Sequence, residues 1–222
     1  MSADALRLLE AELSRPASFD EGIEVARNAC AAGASIAAAA IAAAAYYDNP
    51  LTGLGALREL MTRLHGVPNE LTPWRQALSR ASHPETDDVD FTPGFGFVTP
   101  LRAERVLVAC GELAELAGPA SRCGFMLQHQ RSISDVAGPL NETGLAALAY
   151  LDAGVDVESA ERRWLCCKLS IGVAEAQKAR RAGIAAFPFS FGPYVYDGPR
   201  PAPMSLDRRA LERKLGLDGQ HG

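Results

Sequence analysis

Seventeen consecutive residues, AAGASIAAAAIAAAAYY at positions 31–47, carry no charge, and eleven of them are alanine. Alanine is the strongest helix former, so the run predicts a helix that begins after Gly33 and is broken by Asp48, Asn49 and Pro50. Seventeen residues lie at the short limit for crossing a bilayer, and alanine is much less lipophilic than leucine. The run is therefore expected to be a buried helix whose small side chains let neighbouring helices approach closely, rather than a membrane span.

Most of the remaining chain repeats apolar residues at helical spacing, with no alternating strand pattern and no internal repeat. A first helix carries Leu6, Leu9 and Leu13 and stops at Pro16, and a second follows Asp20 and extends to about Ala32. Further helices are expected at 54–66, at 70–81 with Pro73 in the first turn, and at 101–118, 137–154 and 157–183. Asp156 and Gly183 bound the last of these. The acidic stretch 83–90 and the aromatic, Pro- and Gly-rich segment FPFSFGPYVYDGPRP read as loops, with a terminal helix at 205–217. Both terminal helices are amphipathic, suited either to another subunit or to their own core. The fold class is all-α.

With 48% hydrophobic residues, the 222-residue chain can bury a sizeable core. Its formal net charge of −5 argues against a nucleic-acid binder, which needs a basic stripe to neutralise phosphates. The N-terminal residues lack a basic stretch followed by an apolar one, so no secretory signal is expected. Five cysteines without CxxC spacing indicate neither a disulfide framework nor a zinc site. Adjacent Cys166 and Cys167 diverge by roughly 100° on a helix and read as small apolar residues. The cytoplasm is the expected compartment.

No phosphate-binding glycine loop, HExxH, GxSxG or kinase signature is present. GFGFVT lacks the third glycine of a dinucleotide fingerprint, and helices rather than strands surround it. His65, His83, His129 and His221 are dispersed, so no metal cluster follows from spacing. Lys168, Lys178, Arg180 and Arg181 fit a solvated face matched to a helix C-terminus, or a set that meets phosphates. Trp164 and the late aromatics read as packing or as part of a subunit interface.

Three segments nonetheless occur in a telling order: NPLTGLGALRELM (49–61), PGFGFVTPLRAERVL (93–107) and PLNETGLAALAYLDAGV (139–155). A long helix containing WLCCKLSIGVAEAQKAR (164–180) and a closing loop AFPFSFGPYVYDGP (186–199) follow. The set, spanning roughly residues 20–200, resembles the citrate synthase superfamily. Within it, the short citryl-CoA lyase branch and the C-terminal part of ATP-citrate lyase are most similar. The resemblance implies a citrate-synthase-like helical array, with residues 1–54 and 155–222 as a larger domain and 55–154 as a smaller one. It also implies an active site at their cleft and a homodimer.

The implied chemistry makes or breaks a C–C bond next to a thioester. A carboxylate takes the α-proton of an acyl-CoA, histidines stabilise the enolate and polarise the acceptor carbonyl, and arginines clamp the carboxylates of a small oxo-acid. No covalently held cofactor is implied; a coenzyme A thioester is the substrate or ligand. This sequence departs from the pattern at each catalytic position. Thr52 stands at the helix-turn histidine, Phe97 at the GFGH histidine and Thr143 at the aspartate, with Glu142 one residue earlier. The arginine directly after GFGH is matched by Val98. Arg102 matches the later arginine that contacts the oxo-acid, with pairing to Glu104 or Glu112 as its structural alternative. Leu169 stands at the long-helix arginine, beside Lys168.

Thr52 cannot become cationic and Phe97 offers no hydrogen bond. Losing one preorganised donor costs about 2.7–4 kcal/mol of transition-state stabilisation, so ordinary citrate synthesis would be poor. A second register over LHGVPN (64–69) offers His65 instead of Thr52. Glu142 replaces the aspartate if the match slips by one residue, although it then points about 100° around the helix. Three readings stay open: an enzyme in which Glu142, Thr143, Thr52 or His129 takes over the lost roles, a pseudoenzyme binding CoA esters or oxo-acids, and a structural subunit paired with an active paralogue.

Overall fold

A computed structural model describes residues 3–15, 20–50, 52–79, 92–96 and 99–182. Ten helices make up the described residues: α1 (Ala3–Leu13), α2 (Glu21–Ala31), α3 (Ile36–Tyr47), α4 (Leu54–Leu64), α5 (Leu71–Leu78), α6 (Pro100–Ala117), α7 (Arg122–Gln128), α8 (Gln130–Ala137), α9 (Glu142–Asp152) and α10 (Val157–Ala182). Among these residues there is no strand, only one isolated antiparallel bridge between Phe95 and Leu140. The all-α class holds. All described residues fall within one compact unit, Met1–Pro188. The expected terminal helix 205–217, the loop 83–90, the closing aromatic loop and Phe97 lie outside the described residues.

α9 is the central element. Every residue from Thr143 to Tyr150 is buried, as expected of a helix that is apolar on all sides. α4, α6, α7 and α1 pack around it. On the other flank α2, α3 and α10 form a tight group. There the alanine run works partly as expected: a methyl built on Gly172 of α10 would lie 3.9 Å from the Ala26 methyl and 4.0 Å from that of Ala43. Only small groups separate the three backbones. One side of α3 differs from the expectation, because Ala37, Ala38, Ile41 and Ala45 are exposed. No helix is long and apolar enough to cross a membrane among the described residues. α1 packs on its own core, where Glu12 meets Arg105 at 2.6 Å and Glu10 meets Arg163 at 2.7 Å.

Two departures from the expected boundaries have tertiary causes. Residues 138–141 do not join α9 but run alongside 94–96, with Gly96 N–H donating to Pro139 O at 2.7 Å and Asn141 N–H to Gly94 O at 3.2 Å. Gly138, with φ of 89°, makes the turn into this stretch, a conformation that favours glycine. α7 and α8 occupy the segment 119–136, which sequence periodicity leaves unassigned.

Candidate functional site

A pocket of about 600 Å³ lies where the N-terminal ends of α2, α4, α6 and α9 meet the C-terminal end of α3 and the middle of α10. Each end arrives for a local reason. Asp20 caps α2 by accepting from Ile23 N–H at 3.2 Å, and Asn141 caps α9 by accepting from Gly144 N–H at 3.0 Å. Such caps satisfy amides that have no partner within the helix. The caps of α4 and α6, Gly53 and Thr99, make no side-chain capping bond. Asn49 closes the turn before α4, its Oδ1 accepting from Thr52 N–H at 2.8 Å.

The site residues expected from sequence largely converge here. Thr52, Arg102, Glu142, Thr143 and Lys168 all line the pocket, whereas Phe97 falls outside the described residues. Glu142 and Thr143 are both on the wall despite the turn of the helix between them. His65 and His129 are elsewhere. His65 is exposed at the C-terminal end of α4, roughly 16 Å along that helix from the Thr52 end, and His129 stacks on Phe125 at the α7–α8 joint with ring centres 4.5 Å apart. The register that uses His65 therefore brings no histidine to the pocket.

The charged residues of the wall form one connected array. Lys168 Nζ donates to Glu142 Oε2 at 2.6 Å and to Asp20 Oδ2 at 3.1 Å. Tyr47 Oη donates to Asp20 Oδ1 at 2.7 Å. The Trp164 ring lies beneath the ammonium, 5.8 Å from ring centre to Nζ, and meets Tyr47 edge to face. Of the two alternatives for Lys168, a solvated face or a residue that meets the ligand, the solvated face does not hold. The lysine side chain is only 4% exposed, because α10 turns this position toward the pocket and two carboxylates compensate its charge. By contrast Lys178 is exposed and pairs with Glu175 one turn away at 2.5 Å.

Burial opposes the Lys168 charge, but Glu142 and Asp20 more than offset it and hold the ammonium above the usual lysine range. Burial likewise opposes the Asp20 carboxylate. Lys168, the Tyr47 hydroxyl and the Ile23 amide outweigh it, holding Asp20 below the ordinary value. Tyr47 is pushed strongly upward by burial and by the Asp20 charge. Tyr46 is pushed up to about 12 by burial and by Glu21.

What remains unengaged defines the chemistry available. The Glu142 side chain is 24% exposed, and Lys168 binds only its Oε2. Among the described residues no ion pair joins Arg102 to Glu104 or Glu112, and its buried Nε has no hydrogen-bond partner. The buried Nε1 of Trp164 also lacks one. Thr143, by contrast, spends its hydroxyl on the Thr52 carbonyl at 2.5 Å. No group of three or more His, Cys, Asp or Glu side chains suited to a metal ion occurs among the described residues.

Asp20, Tyr47 and Trp164 were missed as site residues by sequence reasoning. Asp20 reads as a helix start, Trp164 as packing or a subunit interface, and Tyr47 only as the last residue of the alanine run. The signal was position alone: Trp164 opens the segment 164–180, Tyr47 lies just before the segment 49–61, and Asp20 lies at the start of the matched span. No family model matches the chain, and no curated protein matches it in sequence.

Proposed function

We propose that this pocket receives an acyl-CoA thioester and a small oxo-acid, and that the chain makes or breaks a C–C bond beside the thioester carbonyl in a citrate-synthase-like or citryl-CoA-lyase-like manner. The observation that carries the reading is the meeting of Glu142 with Arg102 in one pocket. Glu142 supplies a carboxylate whose Oε1 faces no donor of its own, and Arg102 supplies a buried, unpartnered N–H.

In the condensation direction Glu142 takes the α-proton, and the electron pair moves into the thioester carbonyl to give an enolate. The enolate carbon then attacks the oxo-acid carbonyl, whose oxygen takes up the proton held by Glu142, while Arg102 binds the oxo-acid carboxylate in bidentate fashion. Water attacking the thioester of the adduct releases a carboxylate and free CoA. The uncapped ends of α4 and α6 add positive potential for these anions. Cleavage runs through the same groups in reverse. The reading also carries a larger portion, 1–54 with 155–222, and a smaller one, 55–154, both contributing to the pocket wall. A homodimer, or pairing with an active paralogue, in the cytoplasm belongs to the same reading.

A second reading, a binding subunit without turnover, is favoured by a separate observation. Lys168 holds one oxygen of Glu142, and the Thr143 hydroxyl is already bonded within the protein. One experiment addresses both. The protein is incubated with acetyl-CoA and a panel of small oxo-acids, and released CoA is quantified by chromatography. Thermal unfolding is followed with the same ligands. Release that disappears in Glu142→Gln supports the enzyme. Stabilisation by a CoA ester without release supports the binding subunit; a ligand at 100 times its Kd adds about 2.7 kcal/mol. Neither release nor stabilisation overturns both readings.

A further inference from the structure

We propose that Asp20, anchored by Tyr47, is a positioning residue for Glu142 and acts on it through the shared ammonium of Lys168. The proposal rests on the reading of Glu142 as the proton-transferring carboxylate, and it assigns a task to three residues that reading does not use.

Lys168 is one cation between two carboxylates on different helices, 3.1 Å from Asp20 and 2.6 Å from Glu142. Asp20 cannot follow the ammonium freely. Its Oδ1 accepts from both Tyr47 Oη and Ile23 N–H, which leaves Oδ2 facing Lys168. The Trp164 ring closes the space beneath Nζ. Lys168 is thereby held at a fixed point, and it binds Oε2 of Glu142, turning Oε1 to the pocket. The division of its charge matters as much as its position. With Asp20 ionised, the Lys168 charge is shared, so Glu142 is oriented by the ammonium without bearing all of its field. The other charged or titratable groups facing Glu142 across the pocket are Glu21 on α2, Tyr46 and Tyr47 on α3, and Arg102 on α6.

The test uses Asp20→Asn, which keeps an N-cap for α2 and an acceptor for Tyr47 while removing the charge that competes for Lys168. Side-chain carboxyl resonances are observed in protein labelled with ¹³C-glutamate, and the Glu142 signal is identified by its loss in Glu142→Gln. The expected result is displacement of the Glu142 resonance in Asp20→Asn and its return toward the original position in Asp20→Glu. Tyr47→Phe, which loosens only the anchor, should produce a smaller displacement. A Glu142 resonance unmoved in folded Asp20→Asn overturns the proposal.

Where turnover is present, its acid limb should shift to lower pH in Asp20→Asn and to higher pH in Lys168→Met, with the maximal rate falling at least tenfold in Asp20→Asn while KM changes little. Limbs that stay fixed in both variants also overturn the proposal. Absence of turnover together with a displaced resonance would sink the catalytic reading and leave the positioning intact.

Discussion

The hydroxyl of Thr143 donates to the main-chain carbonyl of Thr52 at 2.5 Å, tying the first turn of α9 to the chain just before α4. Thr143 is buried, so removing its hydroxyl leaves a carbonyl short of its donor inside the protein. Thr143→Val should cost about 1–2 kcal/mol, visible as a fall in Tm of roughly 2–4 °C per kcal/mol for a chain of this size. Thr143→Asp, which restores the carboxylate that the citrate synthase resemblance leads one to expect, should cost more, about 3–5 kcal/mol, because the new charge faces a carbonyl oxygen. Urea unfolding distinguishes the two. Equal midpoints for Thr143→Asp and the parent protein would contradict the hydrogen bond.

Lys168 gives a second prediction. Replacing it by Met leaves Asp20 and Glu142 without their common cation, a loss of about 3–5 kcal/mol. Adding Asp20→Asn to that variant should recover part of the loss, because the neutralised Asp20 no longer needs a counter-charge. The two changes are thus expected to be non-additive in a double-mutant cycle. Simple additivity would mean that the array is not coupled.

The same array sets a pH dependence. Asp20 is held below its ordinary value in the folded protein, so its contribution is present above the unfolded carboxylate value of about 3.9 and is lost as pH falls through the lower, folded value. Lys168 and Tyr47 are held above theirs. Their contributions are complete below the unfolded values, about 10.4 and 10, and fade as pH rises through the folded ones. Asp152 acts in the opposite sense to Asp20: burial raises it despite its bonds to the Arg122 and Cys123 amides, so its contribution declines above about pH 3.9. Urea midpoints recorded from pH 2.5 to 11 should fall at both extremes, and Asp20→Asn should flatten the acidic side. An acidic slope unchanged in that variant would exclude Asp20 as its source.

Two buried glycines should respond in opposite ways to the same substitution. A methyl on Gly144 would run into the Gly94 carbonyl and come within 2.7 Å of Leu140 Cδ1, so Gly144→Ala should cost about 1–3 kcal/mol by overpacking. At Gly172 the nearest atoms are 3.9 Å away. Gly172→Ala should instead stabilise α10 by about 0.5–1 kcal/mol through helix propensity. Thermal unfolding of the pair is the check, and a shared sign would refute the packing described here.

Cysteine reactivity offers a simple count. Cys30, Cys110 and Cys123 are buried, Cys166 is exposed and Cys167 is half-buried, with the Cys167 thiol pushed up by burial. An aromatic disulfide reagent should modify Cys166 promptly, Cys167 slowly and the other three only after unfolding. Prompt modification of three or more thiols in the folded protein would contradict the core.

How much of this was legible in the sequence depends on range. The starts of α2 and α3 are marked by local signals, Asp20 and Ser35 as caps, and the end of α3 by Asp48, Asn49 and Pro50. α7 and α8 were not legible. The polar stretch QHQRS interrupts their short apolar stripes, and the local cap Ser121, accepting from Gly124 N–H at 3.0 Å, is followed by too short an apolar stripe to mark a helix. Asp152, accepting from Arg122 N–H at 2.8 Å and Cys123 N–H at 3.2 Å, adds a distant support that no local pattern shows. The early part of the expected 137–154 helix is claimed by residues 94–96, a pairing that periodicity does not register. At the site, motif order brought Thr52, Arg102, Glu142, Thr143 and Lys168 to notice. It could not indicate that Lys168 faces inward, because its two balancing carboxylates lie on other helices, Glu142 26 positions and Asp20 148 positions earlier in the chain.

Asp20 has two employments, closing the first turn of α2 and balancing Lys168. A fraying helix end is ordinarily a local event with no consequence beyond a few amides. Here, unwinding the first turn of α2 would take from a buried ammonium one of the two carboxylates that balance it, leaving only Glu142, so the terminus is tied to the core. The opening of α2 and the weakening of the charge array are therefore coupled, and what happens at a helix end is felt at the pocket wall.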